Sequence, residues 1–289
     1  MMGYNFNMKI FQKEINDGLS DKLSSHSAKA SAEVAIVPKN SAKAENFYPS
    51  DKEIVKNVIP EDMAVVNGIL VTTNWNLNDD IFTPSEVIGS IYTPLYKPAN
   101  IGHLGKETDE DQQIIGVIYN SFAVNDEYQP ISPKENEKFH ILVCIYLWEK
   151  YFPNKSKEIK DAIDRGEMSL SMECLFDNFG YGLKKEGTDK VSLLPRNEAT
   201  AWLTKHLRAY GGKGKVKING EMFKIGRWIK SPLFSGVAFV ENPGNPESII
   251  FQDYISHASA QEVSEIENFE ESMQDCVLPN SKGIDLWPQ

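Results

Sequence analysis

The chain has few cysteines, and their number and spacing argue against two common uses of this residue. Only three occur among the 289 residues, at Cys144, Cys174 and Cys276, and no two of them are close in sequence. Cysteine-based zinc sites use closely spaced pairs, and a disulfide framework uses an even number of cysteines. The sequence therefore predicts neither, and a reducing cytoplasm fits it best.

Long apolar runs and an excess of positive charge are also missing. The longest strongly apolar stretch, ILVCIYLW at 141–148, is far shorter than the roughly 20 residues of a membrane-spanning helix. The amino terminus shows no basic region followed by an apolar run, so no secretion signal is expected. Thirty basic against 41 acidic residues give a net charge of −11, which disfavours nucleic acid or membrane as the main partner. No cluster has metal-ligand spacing, so neither a metal nor a cofactor is predicted.

Composition divides the chain into a body and two arms. Residues 1–50 are rich in Ser, Lys, Ala and Asn, which predicts a flexible arm, or a short helix that docks elsewhere, outside the core. Residues 51–255 carry the apolar periodicity of a folded domain that is large enough to bury a core. Residues 256–289 form an acidic tail, and both arms are candidates for removal.

The body has the pattern of an α+β fold in which strands dominate. Short apolar runs separated by Asn, Asp, Pro and Gly predict strands, and two amphipathic segments separated by Pro153 predict helices. The predicted strands are MAVVNGILVTT (63–73), IIGVIYNSFAV (114–124), MSLSMECLF (168–176) and the first half of FSGVAFVENPGNPES (234–248). The predicted helices are FHILVCIYLWEKYF (139–152), SKEIKDAIDR (156–165) ended by Gly166, and NEATAWLTKHLRAY (197–210). The run GGKGKVKING (211–220) is predicted to be a mobile loop.

A serine in a predicted strand is the first candidate for chemistry. Because side chains alternate along a strand, Ser169, Ser171 and Glu173 share one face of MSLSMECLF and apolar residues share the other. A serine hydroxyl attacks a carbonyl only when a nearby base takes its proton. The alternative interpretation is an ordinary strand whose outer face is polar.

His103 is the candidate for that base. It is the one histidine of the five that lies in a glycine-bounded turn between two strand-like segments, in IGHLGKETDEDQQIIGVI (101–118). Such a turn at the rim of a sheet can present an imidazole to a neighbouring strand. A solvent-exposed loop histidine is the alternative, so the residues alone indicate a serine peptidase only if Ser171 and His103 converge.

Four segments, in this order along the chain, resemble the head-maturation (prohead) proteases of tailed bacteriophages. They are PANIGHLGKETDEDQQIIGVI, GEMSLSMECLF, RNEATAWLTKHLRAYGGKG and KIGRWIKSPLFSGVAFVENPGNPES, and the resemblance covers roughly residues 55–250. It implies a fold similar to the herpesvirus assembly proteases, a compact, mainly antiparallel β-barrel flanked by helices. It further implies a serine endopeptidase that processes capsid, scaffold and internal head proteins, and itself, inside the prohead, after synthesis in the host bacterial cytoplasm.

The resemblance also assigns site residues, and it leaves one of them open. The histidine of the family falls on His103 and its serine on Ser171, with Ser169 as the runner-up. Related enzymes often have an acidic residue in the strand before the proline turn, where this chain has FSGVAFV without a carboxylate. Glu198 is the first candidate for the third catalytic residue, and Glu173 is the second. An ordinary surface charge is the alternative for both.

Two similar segments bracket the body and are candidates for self-cleavage. SHSAKASAEV (25–34) and SHASAQEV (256–263) each place a glutamate before a valine, and phage maturation proteases often cut after glutamate. Small side chains allow an extended peptide to enter a protease groove. We therefore expect cuts after Glu33 and Glu262, which release residues 34–262. The alternative is a coincidence of Ser/Ala-rich linkers.

A second function from a different class fits the same segments. A catalytically inactive capsid-assembly or scaffolding protein would keep the protease fold and use it for docking, with its acidic tail contacting basic partners. The lack of a clear third catalytic residue favours this alternative. The oligomeric state is left open by the sequence, and a homo-oligomer is one alternative.

Overall fold

Two β-sheets, with short helices at their margins, make up most of the structure. We describe them from a computed structural model that covers residues 8–24, 63–102, 113–241, 247–251 and, for the backbone alone, 255–256. Within these ranges no helix has the length and apolar character needed to cross a membrane.

Twelve strands are present in the described residues, and most run antiparallel to their neighbours. They are β1 (Ala64–Thr72), β2 (Asp80–Ile81), β3 (Pro98–Ile101), β4 (Gln113–Val124), β5 (His140–Leu147), β6 (Ser169–Leu175), β7 (Asn178–Lys185), β8 (Val191–Leu194), β9 (Lys215–Ile218), β10 (Glu221–Lys230), β11 (Leu233–Val240) and β12 (Ile255–Ser256). The larger sheet has the order β12-β1-β5-β4-β3-β11-β6, and the smaller sheet has the order β2-β10-β7-β8, with β9 also paired to β10. The parallel pairs are β3 with β11 and β2 with β10.

The larger sheet curls into half a barrel, and its described strands do not close into a full one. Strands β1 and β6 are not neighbours in the sheet order, and residues 247–251, the seam segment, run between them. The amide of Ile69 in β1 donates to the carbonyl of Ile249 at 2.8 Å. The hydroxyl of Ser248 donates to the carbonyl of Leu170 in β6 at 2.7 Å. The predicted α+β class is therefore confirmed, whereas the closed barrel is wrong, because the seam segment fills the gap.

A glycine allows β1, β6 and the seam segment to approach one another. A Cβ atom at Gly68 would lie 2.6 Å from Cδ1 of Leu170 and 2.8 Å from the carbonyl oxygen of Ile249. Both distances are far inside van der Waals contact, so any other residue here would push the seam apart. The curl of the sheet therefore depends on the absence of a side chain at this position.

The main hydrophobic core joins the two sheets. One cluster of buried side chains includes Val66 and Ile118 from the larger sheet and Tyr181 and Ile225 from the smaller sheet. A second, smaller cluster lies on the other face of β1 and β5. Its buried members are Ile69, Val124, Leu142, Cys144 and Phe251. Strands β1 and β5 are therefore buried on both faces.

The segment FHILVCIYLWEKYF was predicted to be a helix, and this prediction is wrong. Its residues 140–147 form β5, which lies between β1 and β4 in the larger sheet. All of these residues except Tyr146 are buried. A strand that is buried on both faces is almost continuously apolar, so it lacks the alternation of period two that identifies a half-exposed strand.

Four short α-helices and three 3₁₀ helices complete the described part of the chain. They are α1 (Gln12–Asn16), α2 (Ser20–Ser24), α3 (Pro84–Val87) and α4 (Pro153–Arg165), with 3₁₀ helices at Ile88–Ser90, Ala201–His206 and Arg208–Tyr210. The helix predicted over SKEIKDAIDR is confirmed as α4. It begins with Pro153 in its first turn and ends at Gly166, whose φ of 71° is the left-handed conformation of a helix C-cap.

Two neighbouring predictions between residues 197 and 220 need correction. The helix predicted over NEATAWLTKHLRAY is replaced by a turn and the two 3₁₀ helices of this region. The predicted mobile loop GGKGKVKING contains β9, followed by a turn into β10. Asn219 and Gly220 in that turn have φ values of 51° and 86°, which suit a two-residue hairpin connection. An Asn-Gly pair between strands is the physical signal for this hairpin.

The start of the chain docks against the body rather than lying outside it. Leu19 and Leu23 belong to the main core cluster, so the prediction that residues 1–50 lie outside the core is wrong for them. The described segment 8–24 thus follows the alternative of a short docked helix. Glu14 in α1 is fully buried and forms an ion pair with the buried Arg196. This pair attaches the amino-terminal segment to the body.

Candidate functional site

Ser171 lies in the middle of a strand, as predicted. It pairs with Ala238 of β11, and Ala238 pairs with Asn100 of β3. Residues opposite one another in neighbouring strands point to the same face of a sheet, so these three side chains form a row. We call Ser171, Ala238 and Asn100 the Ser171 row. Its middle member carries only a methyl group, and all three side chains are buried.

The polar groups around Asn100 are incompletely bonded. The Nδ2 atom of Asn100 donates to the carbonyl of Gly102 at 2.8 Å and lies 3.4 Å from Oε1 of Glu173. The Oδ1 atom of Asn100 is buried and has no hydrogen-bond partner among the described residues. Buried acceptors are nearly always bonded, so this oxygen marks a position where a donor is expected.

The described structure includes the approach to His103 but not His103 itself. Strand β3 ends one residue before Gly102, whose amide donates to the carbonyl of Phe239 in β11 at 3.2 Å. Two strand spacings separate β3 from β6, which is about 10 Å between backbones. His103 therefore follows a strand of the sheet that carries Ser171, and their convergence stays a prediction.

The two carboxylates predicted as third catalytic residues have different surroundings. Glu173 lies on β6, two residues after Ser171, and approaches Asn100 as described above. Glu198 is exposed in the turn before the 3₁₀ helix Ala201–His206, and no hydrogen bond among the described residues connects it to β6. The geometry thus brings Glu173, and not Glu198, to the face that carries Ser171.

The remaining predicted residues are the runner-up serine and the two self-cleavage candidates. Ser169, the runner-up nucleophile, begins β6 and is partly buried. The self-cleavage candidates Glu33 and Glu262 lie outside the described residues. Ser171 itself is only 3% exposed. A substrate carbonyl reaches this hydroxyl only if the surroundings of β6 open.

Cys174, three residues after Ser171, provides a test of how closed this strand is. Burial raises the pKa of its thiol to about 12, so the reactive thiolate is scarce at neutral pH. We expect iodoacetamide at about pH 8 to leave Cys174 unmodified in the folded protein and to modify it fully in guanidinium, where an exposed thiol has a pKa of about 8.5. Peptide mapping by mass spectrometry measures this. Equal modification rates in both conditions would contradict the buried position of β6.

A second polar cluster lies at the other end of the larger sheet, where β1 ends and β5 begins. Thr72 and His140 are cross-strand partners, and the threonine Oγ1 lies 2.8 Å from the imidazole Nδ1. The other ring nitrogen, Nε2, lies 2.9 Å from Oδ1 of Asp126, in the turn after β4. Lys138 bridges Asp126 at 2.9 Å and Glu247 of the seam segment at 2.7 Å. We call these five residues the His140 cluster.

The His140 cluster was not predicted from the sequence, because the pattern around His140 indicates a helix. Its members come from the end of β1, the β4–β5 connection, the first residue of β5 and the seam segment, so their proximity follows only from the strand register. Asn125 is the one local signal, since its side-chain oxygen accepts from the amides of residues 127 and 129 and forms the turn that presents Asp126.

A hydroxyl, an imidazole and a carboxylate in one line have the composition of a catalytic triad, but the burial is reversed here. The hydroxyl end, Thr72, is 4% exposed, whereas the side chain of Asp126 at the other end is 61% exposed. A nucleophile has to face the substrate, so Thr72 is in the wrong place for attack. The accessible groups of this cluster are its two carboxylates and the ammonium of Lys138.

The charges of the His140 cluster stabilise one another. Hydrogen bonds from Lys138 and His140 hold the pKa of Asp126 below its ordinary value. Burial opposes the charge of Lys138, but its hydrogen bonds to Glu247 and Asp126 outweigh this effect and raise the pKa of its ammonium. The centre of the cluster is therefore a position that favours a cation.

Comparison with known proteins adds no relative. No protein-family model, curated protein or solved structure matches the chain. The resemblance of its four segments to head-maturation proteases therefore stays a prediction, and the function has to be inferred from the site itself.

Proposed function

We propose that the chain is a serine endopeptidase of bacteriophage head maturation, with Ser171 as the nucleophile and His103 as the base. The observation that supports this most is the Ser171 row. It has a small alanine between the serine strand and β3, the strand that leads directly to His103. The proposal requires the imidazole of His103, two residues after the end of β3, to reach across Ala238 to the hydroxyl of Ser171.

The proposed mechanism is acyl-enzyme hydrolysis. The imidazole of His103 takes the proton of the Ser171 hydroxyl as its oxygen attacks the peptide carbonyl, and the resulting imidazolium gives that proton to the leaving amine. Water then attacks the ester with the same base, which releases the acid and restores the serine. The substrates are capsid, scaffold and internal head proteins and the chain itself, inside the prohead.

The geometry favours Glu173 over Glu198 as the residue that orients the base. Glu173 lies on the same strand face as Ser171, and its carboxylate is 3.4 Å from Nδ2 of Asn100. A carboxylate two residues from the nucleophile is close to any imidazole that reaches it. Glu198 would need a rearrangement of its exposed turn to take this role.

Self-processing after Glu33 and Glu262 is part of the proposal. The docked helices α1 and α2 carry a consequence for the first cut. Because Leu19, Leu23 and the buried Glu14 hold residues 8–24 against the body, cleavage after Glu33 leaves the amino-terminal piece attached without a covalent link. The two pieces then separate only under denaturing conditions.

One observation favours the alternative of an inactive capsid-assembly or scaffolding protein. Ser171 is only 3% exposed, and β11, the strand that pairs with β6 before the proline turn, carries no carboxylate, whereas related enzymes often have one there. A docking protein needs neither an accessible serine nor a third catalytic residue. The experiment on the proposed nucleophile separates the two functions.

The test compares wild type, Ser171→Ala and His103→Ala during expression with the coat protein. We expect a fluorophosphonate probe to label wild type on the peptide that contains Ser171. Intact-mass measurement should show cuts after Glu33 and Glu262 in wild type alone. Loss of a triad residue typically lowers turnover by about 10⁴-fold or more, so both variants should stay uncut.

Two serine controls make the result specific. Ser192→Ala changes an exposed serine of β8 in the smaller sheet and should leave labelling and cleavage as in wild type. Ser169→Ala tests the runner-up. Unchanged cleavage in Ser171→Ala, or a label on another residue, would refute the assignment of Ser171. If no variant and no wild-type sample is cut or labelled, the scaffolding function is supported instead.

A further inference from the structure

The His140 cluster has the composition and geometry of a metal site. One ligand atom each from Asp126, His140 and Glu247 lie within 4.8 Å of one another. They belong to three separate parts of the chain, namely the turn after β4, the first residue of β5 and the seam segment. We propose that these three residues bind a divalent cation of the zinc class, in exchange for the ammonium of Lys138.

The donor set selects the kind of cation. One imidazole nitrogen with two carboxylate oxygens suits zinc and its neighbours among the divalent transition metals, whereas calcium and magnesium prefer oxygen ligands alone. Zinc binds these ligands at about 2.0–2.2 Å, so the ligand atoms, which lie within 4.8 Å of one another, have to rearrange around the ion. The exposed side chain of Asp126 and the partly exposed side chain of Glu247 can move inward.

The imidazole is oriented before any metal binds. His140 is 2% exposed and held between its strand neighbours, and its Nδ1 contacts the hydroxyl of Thr72 at 2.8 Å. A metal-binding histidine usually makes a hydrogen bond through its second ring nitrogen, which fixes the ring and directs the first nitrogen at the metal. Here that first nitrogen, Nε2, points toward the carboxylate of Asp126.

The position of Lys138 shows where the cation would sit. Its ammonium lies 2.9 Å from Asp126 and 2.7 Å from Glu247, so a positive charge already lies between the two carboxylates. The lysine side chain is 38% exposed, so it can turn into solvent when another cation replaces its ammonium. A divalent ion in its place would balance both carboxylates and would also gain the imidazole nitrogen.

Metal binding here would have a structural consequence at the seam. Glu247 is followed by Ser248, which is hydrogen-bonded to the backbone of Leu170 in β6. An ion held by Asp126, His140 and Glu247 would therefore fasten the seam segment to the rim of the sheet. The fold would become more stable in proportion to the free metal concentration.

The experiment is a calorimetric titration of the chelator-treated full chain with Zn²⁺, and separately with Mg²⁺. We expect saturable binding of one Zn²⁺ per chain and a rise in melting temperature. Asp126→Asn, Glu247→Gln and His140→Gln should each weaken binding by at least about tenfold. Lys138→Gln should bind more tightly than wild type, because it removes the competing ammonium.

Asp189→Asn is the matched control, because Asp189 is an exposed carboxylate paired with a lysine elsewhere on the surface. It should bind Zn²⁺ as wild type does. Replacement of Zn²⁺ by Co²⁺ should give visible absorption bands that disappear in Asp126→Asn. Absence of saturable binding in both wild type and Lys138→Gln would overturn the proposal. Equal affinity in wild type and the three ligand variants, or tighter binding of Mg²⁺ than of Zn²⁺, would also overturn it.

Discussion

Replacing Glu14 by alanine should lower the free energy of unfolding by about 3–5 kcal/mol, the cost of leaving one member of a buried ion pair without its partner. The Glu14 carboxylate accepts hydrogen bonds from Nε and Nη2 of Arg196 at 2.8 and 2.6 Å. It also accepts from the hydroxyl of Thr204 at 2.7 Å and from the amide of Phe11 at 2.9 Å. Every one of these donors loses its acceptor in Glu14→Ala.

The measurement is urea unfolding followed by circular dichroism, together with limited proteolysis of the first 24 residues. Asp17→Ala is the matched control, because Asp17 in the same segment forms an ion pair with the half-exposed Lys205 at 3.2 Å. That pair is exposed to water, so its loss should cost less than about 1 kcal/mol. Similar losses in both variants would show that the buried pair does not hold the segment.

The docking of the amino-terminal segment against the body could not be predicted from sequence patterns. Its composition resembles that of a solvated arm, and its two helices have only five residues each, too short for a clear helical period. Docking depends on Arg196, which is distant in sequence and lies in a segment without regular structure. The ion pair between Glu14 and Arg196 joins residues that are far apart in the sequence, so no local pattern predicts it.

Elements that are bounded by proline or glycine could be predicted from the sequence. A strand whose glycines allow its neighbours to pack closely could not. Proline and glycine mark both ends of α4, and alternation identifies β6. In β7, by contrast, the glycines of NFGYGLKK look like turn signals. A Cβ atom at Gly182 would meet the side chain of Ile81 in β2, and one at Gly180 would lie 2.6 Å from the carbonyl oxygen of Leu194. These glycines permit neighbouring strands to approach, which only the assembled sheet reveals.

The candidate site could also be predicted from the sequence only in part. The strand that carries Ser171 and the face that it shares with Glu173 follow from alternation of period two. The presence of Asn100 beside them follows from the parallel pairing of β3 with β11, which the sequence does not show. The His140 cluster was hidden for a further reason. A strand buried on both faces has no period that separates it from a helix, so His140 was assigned to the wrong element.

Replacing Asp80 by alanine should be as costly as the loss of Glu14, at about 3–5 kcal/mol, because it leaves the buried Arg227 without a counter-charge. The two residues are register partners on the parallel strands β2 and β10, and both are buried. The guanidinium donates to both carboxylate oxygens, with Nε 2.6 Å from Oδ1 and Nη2 2.8 Å from Oδ2. Burial alone would lower the pKa of Arg227, but the adjacent Asp80 raises it, so the arginine stays charged.

The aromatic rings around Arg227 determine how replacing both members of the ion pair will affect stability. Its guanidinium lies over the rings of Phe176 and Tyr210, at 5.4 and 5.7 Å from their centroids. A double variant, Asp80→Leu with Arg227→Met, replaces the pair by apolar groups of similar volume beside those rings. Because it removes both desolvated charges, it should recover most of the stability that Asp80→Ala loses.

Urea unfolding of Asp80→Leu, Arg227→Met and the double variant forms the double-mutant cycle that measures the pair, and Asp80→Ala is unfolded beside them. Glu221→Gln is the matched control, since Glu221 forms an exposed cross-strand pair with Lys185 in the same sheet. It should cost less than about 1 kcal/mol. If the double variant is no more stable than Asp80→Ala, the stability lost there comes from packing of the two-residue strand β2 and not from the unpaired charge.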